Sequence, residues 1–270
     1  MRTTLGRLHV QEAGPADGPV ALLWPSLFSD GETTWGTQLA GLHALGWRTL
    51  LVDPPGTGGS DPASRLFTME ECAEAALKVL DAASVDRAAF LGVSWGGMVA
   101  LRVALAAPQR VIALVLSNTT ARRGTFPKRL RGLMNATVAR IGVPGGMGRL
   151  VVAAMLSDYS RRHNTDFATQ FADGANKLDH AGLFHAVRSV DATGTSVVDA
   201  LGRITAPTLV IAGEEDEVFP RPHAQELADR IPGGRLEVVP HVGHLSPGES
   251  PTAVAALLKG FLVPEGTHTS

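Results

Sequence analysis

The run Ala88-Ala89-Phe90-Leu91-Gly92-Val93-Ser94-Trp95-Gly96-Gly97 restricts the fold more than any other part of this chain. An apolar stretch leads into a serine held between glycines, and an amphipathic helical pattern follows from Gly97 to Ala107. The order is strand, sharp turn, helix. On so tight a turn, neighbouring backbone closes on the positions two before and two after the serine, which then accept little beyond a hydrogen side chain. Gly92 and Gly96 meet that demand. A bare Gly-x-Ser-x-Gly also arises by chance in surface loops, so the remainder of the chain has to decide its meaning.

Two later segments do so. Thr208-Leu209-Val210-Ile211-Ala212 reads as a buried strand and runs into Gly213-Glu214-Glu215-Asp216-Glu217-Val218-Phe219-Pro220. Arg235-Leu236-Glu237-Val238-Val239 reads as another, followed by Pro240-His241-Val242-Gly243-His244 and, shortly after, Glu249-Ser250-Pro251. Ser94, Asp216 and His244 therefore each follow a predicted strand, in the chain order of α/β-hydrolases. On these residues the chain resembles the α/β-hydrolase superfamily over nearly its whole length. The resemblance implies Ser94 as nucleophile, His244 as base and Asp216 as the acid that orients the imidazole. It also implies two backbone donors for an oxyanion. One is the N–H of Trp95, the residue after the nucleophile. The other is the N–H of Leu27, in Trp24-Pro25-Ser26-Leu27-Phe28, where many members carry His-Gly.

The expected fold class is α/β: a mostly parallel twisted sheet with helices on both faces and its site at the carboxyl ends of the strands. Strands are expected near Thr4 to Val10, Val20 to Trp24, Arg48 to Val52, Ala88 to Leu91, Val111 to Leu116, Thr208 to Ala212 and Leu236 to Val239. Between about Thr119 and Val198 the rhythm changes to helical stretches at Leu130 to Ile141, Gly148 to Leu156 and Asn164 to Asn176. In the superfamily an insertion after the sixth strand resembles a helical lid. The division is thus a core at 1–118 and 199–263, a cap at 119–198, and a polar tail at 264–270 expected to be frayed.

Composition limits the alternatives. With 270 residues, 44% hydrophobic, the chain can bury a sizeable core as one globular unit. A net charge of -2 supplies no footprint for nucleic acid, and the basic cluster Arg122, Arg123, Lys128, Arg129, Arg131 reads as a solvated face. The single cysteine, Cys72, cannot form an internal disulfide; it lies in a helix that Thr68 and Glu71 open as a capping box, and its role reads as packing. The first ten residues alternate like a strand and lack the apolar core of a secretory leader, and no segment approaches a membrane span. A cytoplasmic enzyme with no membrane partner is the expectation, its oligomeric state open. His43, His163, His180, His185 and His223 show no metal-ligand spacing, so no metal is expected; Gly56, Gly58 and Gly59 come without a Gly-Lys-Ser/Thr or dinucleotide fingerprint, and no cofactor is expected.

Within the superfamily, Ser26-Leu27 with Trp35 beyond, and Gly96-Gly97-Met98 after the nucleophile, resemble 3-oxoadipate enol-lactonases. Pro25 and Phe28 replace the Asn and Gly of that loop, and Asp53-Pro54-Pro55-Gly56-Thr57-Gly58-Gly59-Ser60 lacks its usual Arg. The reading is a cofactor-free hydrolase of a small-molecule ester or lactone with a larger, more apolar acyl part, and Phe28 and Phe219 against the substrate. An enol-lactonase proper, a perhydrolase of the cofactor-free haloperoxidase type, a C–C bond hydrolase, an acyl transferase or cyclase, and a non-catalytic receptor stay open. Asp53 reads as capping its own turn. His241 is a rival base that Gly243-His244 disfavours, and Asn118 cannot serve as an acid.

Overall fold

The computed structural model describes residues 1–263 apart from 125–132, 135–136, 139, 143–145 and 193–194. A short hairpin, β1 (Arg2–Thr3) with β2 (Gly6–Arg7), precedes a seven-stranded sheet. Its strands are β3 (Val10–Ala13), β4 (Val20–Trp24), β5 (Arg48–Val52), β6 (Ala88–Val93), β7 (Val111–Ser117), β8 (Thr208–Gly213) and β9 (Arg235–Val239), in the spatial order β3-β5-β4-β6-β7-β8-β9. Only β3 runs antiparallel, against β5. The single strand expected near Thr4 to Val10 is instead hairpin, link and β3. Gly6 takes φ 99°, which turns the chain back before β3 can begin.

Every residue of β4, β6 and β8 is buried, as in a sheet covered on both faces. The period-two alternation of a strand divides those residues between two apolar layers. Leu22, Phe90 and Val210 face a layer built on α2 (Met69–Ala82), α3 (Trp95–Ala106) and α8 (Arg221–Arg230). Leu23, Leu91 and Ile211 face the other, built on α1 (Gly31–Ala44) and α10 (Pro251–Leu262), which follows the single turn α9 (Ser246–Glu249). The capping box at α2 forms as read: the Thr68 side chain accepts from Glu71 N–H and the Glu71 carboxylate from Thr68 N–H.

Between β7, the sixth strand in the superfamily's count, and β8 the described residues hold only helices. These are α4 (Gly148–Met155), α5 (Asp158–His163), α6 (Thr165–Asn176) and α7 (His180–Val187), with irregular turns beyond. The helical pattern at 130–141 falls largely outside the described residues, as does the tail at 264–270. Helices α5 and α7, six and eight residues long, add to the helical stretches expected there. Their starts are written in side-chain caps, Ser157 accepting from Ser160 N–H and Asp179 from Gly182 N–H. Val151, Met155, Phe167, Phe171, Leu183 and Val187 join the α1/α10 layer, so the insertion shares the core.

Candidate active site

The turn between β6 and α3 has the strain that its glycines forecast. Ser94 sits at φ 53°, ψ -109°, a conformation that costs an L-residue on the order of 1–3 kcal/mol. Its N–H donates to Ser117 O (2.9 Å), and its carbonyl accepts from Thr119 Oγ1 (2.6 Å) and Met98 N–H (3.1 Å). A Cβ on Gly92 would run into the Gly96 carbonyl, and one on Gly96 into the Trp24 carbonyl. The two glycines thus let β4, β6 and the start of α3 close on one another around the serine.

Asp216 and His244 come from loops beyond β8 and β9 and meet in the interior, 4% and 1% exposed. His244 Nδ1 lies 2.9 Å from Asp216 Oδ2 and 3.0 Å from Oδ1. Asp216 Oδ1 also accepts from Val218 N–H (2.9 Å) and Phe219 N–H (3.0 Å), and Oδ2 from Asn118 Nδ2 (3.1 Å). This set orients the carboxylate and, through it, a tautomer of His244 with its proton on Nδ1. His244 Nε2 is buried and has no hydrogen-bond partner among the described residues. Asn118 is more than an excluded acid. At φ 49° on the end of β7, its amide donates to both Asp216 and Gly243 O (2.9 Å), while its Oδ1 accepts from the Ser117 and Ser246 hydroxyls.

The loop after β4 leaves the sheet beside the Ser94 turn, where Trp24 pairs with Gly92 and its carbonyl lies against Gly96. Leu27 and the fully buried Ser26 lie at its turn, and Phe28 takes φ 63°. Neither the Leu27 N–H nor the Trp95 N–H is bonded to another described residue. The half-buried Phe219 places its ring centroid 5.4 Å from that of His244. The Trp95 side chain lies in the core, stacked on Phe67 (5.6 Å) and edge-on to Trp24 (5.9 Å), so that residue offers backbone alone.

Residues 31–251 match the alpha/beta hydrolase fold family. The chain belongs to this family. A Variovorax paradoxus protein provisionally named carbamate hydrolase RutD is 33% identical over 88% of this chain and 89% of its own. A 2-hydroxy-6-oxononadienedioate/2-hydroxy-6-oxononatrienedioate hydrolase of Cupriavidus pinatubonensis is 30% identical over 95% and 90%. The enol-lactonase structure from Burkholderia xenovorans LB400 superposes with a TM-score of 0.86 at 26% identity, over 94% of this chain and 96% of that one. The protein is an enzyme, a hydrolase of the α/β-hydrolase type.

Other residues of the hydrolase that attracted notice in the sequence take structural parts. Asp53 accepts from Gly31 and Gly59 N–H and contacts His9 Nδ1 (2.9 Å), tying the start of α1 to its own loop. His241 is exposed, stacks on Tyr159 and lies 3.5 Å from the Glu215 carboxylate. Arg122 pairs with Glu226. Burial pushes the Cys72 thiol up, which agrees with packing. Among the described residues, no group of three or more His, Cys, Asp or Glu could hold a metal, and no helix is long and apolar enough to cross a membrane. Sequence reading missed the part played by Glu249, which it took only as the end of the histidine loop. Its carboxylate is buried among backbone N–H groups, and the one advance signal was an acidic residue directly before Ser250-Pro251 at a helix start.

Proposed function

We propose that the hydrolase cleaves a carboxylic ester or lactone through an acyl-enzyme on Ser94, with His244 as base and Asp216 as the orienting acid. The observation that carries this reading is the buried His244–Asp216 contact, at the same edge of the sheet as the strained Ser94 turn. On this reading Ser94 Oγ attacks the carbonyl carbon and its proton passes to His244 Nε2, while Asp216 stabilises the imidazolium without taking the proton. The tetrahedral oxyanion accepts from the N–H groups of Leu27 and Trp95, each such donor being worth about 10²–10³ in turnover. Collapse expels the alkoxide, which leaves with the His244 proton. Water then attacks the acyl-enzyme by the same route in reverse.

The relatives' names support this substrate class: the Burkholderia protein is an enol-lactonase, and the Variovorax name is that of a hydrolase of carbamates, which also react at an acyl carbon. We further propose that the insertion at 119–198 is a lid that shapes the acyl pocket, with Phe28 and Phe219 against the substrate. The test is a panel of p-nitrophenyl esters, saturated lactones, enol-lactones and a vinylogous diketone, with a fluorophosphonate adduct mapped by mass spectrometry. Ester or lactone turnover with the adduct on Ser94 is expected. An adduct on another residue would overturn the assignment, and turnover of the diketone alone would transfer the site to C–C cleavage.

A further inference from the structure

Glu249 is 7% exposed, and its carboxylate is taken up by three backbone donors. Oε2 accepts from Gly243 N–H (2.9 Å) and Ser157 N–H (3.0 Å), and Oε1 from Leu245 N–H (2.8 Å). Gly243 and Leu245 flank His244 in the chain. Ser157 belongs to the insertion, where it caps α5. The joint is closed from the insertion side as well, since His244 N–H donates to Met155 O (2.7 Å) and a Cβ on Gly243 would strike Ser157 N and Met155 O. Gly243 is therefore gripped at its N–H by Glu249 and at its carbonyl by Asn118, whose amide also touches Asp216.

A carboxylate is a costly group to bury unless donors surround it, and here three backbone N–H groups do. Among the described residues no Lys or Arg forms an ion pair with Glu249, so the charge is held by peptide dipoles alone. What the charge achieves is geometric. Two oxygens with three donors fix the peptides on both sides of His244, and fix them against the insertion. We propose that Glu249 is a positioning residue for His244, and that through it the insertion helps to hold the imidazole against Asp216. This rests on the reading of His244 as base and extends it: the insertion becomes part of the device that aims the base.

The test compares Glu249→Gln and Glu249→Ala in the full chain. Gln keeps length and volume but must turn an NH₂ toward at least one of the three donors. Three quantities are read: kcat and KM on a p-nitrophenyl ester, normalised to sites titrated by fluorophosphonate; the thermal midpoint; and the deshielded proton NMR resonance of the His244 Nδ1–H to Asp216 hydrogen bond. Displacement of a reacting group by about an ångström costs about 10²-fold in rate, so kcat per titrated site should fall by about a hundredfold in Ala and less in Gln, with KM little changed. The bridging resonance should shift or broaden in both variants. Wild-type kcat per site with an unmoved resonance, whatever the thermal midpoint does, would overturn the proposal. If Ala yields no folded protein, Gln decides alone, because it preserves packing. Failure of the wild type to label at Ser94 would sink the catalytic reading instead, while the resonance would still report whether Glu249 holds the ring.

Discussion

Replacing Asp216 with asparagine exchanges one oxygen for an NH₂ group in a site where every neighbour is a donor. If the NH₂ takes the Oδ1 position it faces the N–H groups of Val218 and Phe219, which cannot turn away. If it takes the Oδ2 position it faces Asn118 Nδ2, and Asn118 cannot flip, because its oxygen would then face Gly243 O and its NH₂ the Ser246 N–H. Both orientations bury an unmet donor, at about 1–3 kcal/mol of stability. The second is the less costly, and it points an N–H at His244 Nδ1, which must then accept. The ring's proton moves to Nε2, the atom that takes the Ser94 proton in the proposed mechanism. Loss of the productive tautomer costs about 10⁴-fold in kcat, which at 1.36 kcal/mol per tenfold is about 5.4 kcal/mol of barrier. The measurements are kcat and KM on a chromogenic ester and the urea midpoint. Asp216→Asn should keep KM, lose kcat and unfold earlier. A folded variant with more than about a tenth of wild-type kcat would refute the tautomer argument.

Other consequences can be checked in parallel. Ser94→Ala should lower kcat by about 10⁶-fold without loss of fold; retention of a few per cent would rule out covalent catalysis at this residue. Cys72, buried and with its thiol pushed up by that burial, should not react with a disulfide reagent in the native protein and should react fully in denaturant; a fast native reaction would contradict its core position. Hydrogen bonding from Arg65 is the main cause that holds the Glu71 carboxyl below its ordinary range. A depressed folded-state value adds stability above the unfolded value and loses it as pH falls through the folded one. Glu71→Gln should therefore destabilise by about 0.5 kcal/mol near neutrality and by nothing in acid, read from urea titrations at both pH values.

Local patterns carried a large share of this protein. The Ser94 elbow was legible because its requirement is steric and lies within five residues: two glycines, a strand before, a helix after. The Asp216 and His244 loops were legible because each follows a short strand pattern, an apolar run from Thr208 to Ala212 and an alternating one from Arg235 to Val239. The α2 capping box needed only Thr68 and Glu71. The N-terminal hairpin was misjudged because period-two alternation continues across Gly6 in the letters, while the backbone reverses there.

What the sequence alone determined is therefore the sheet, the elbow and the order of the serine, acid and histidine, all set by neighbours close in the chain. Tertiary structure decided how those groups are held. Asn118 reaches Asp216 across 98 positions and Glu249 reaches Ser157 across 92, and such contacts leave no periodicity in either segment. Only the packed fold, by removing water from Asp216 and Glu249, makes donors obligatory and so selects which distant amide or peptide must supply them.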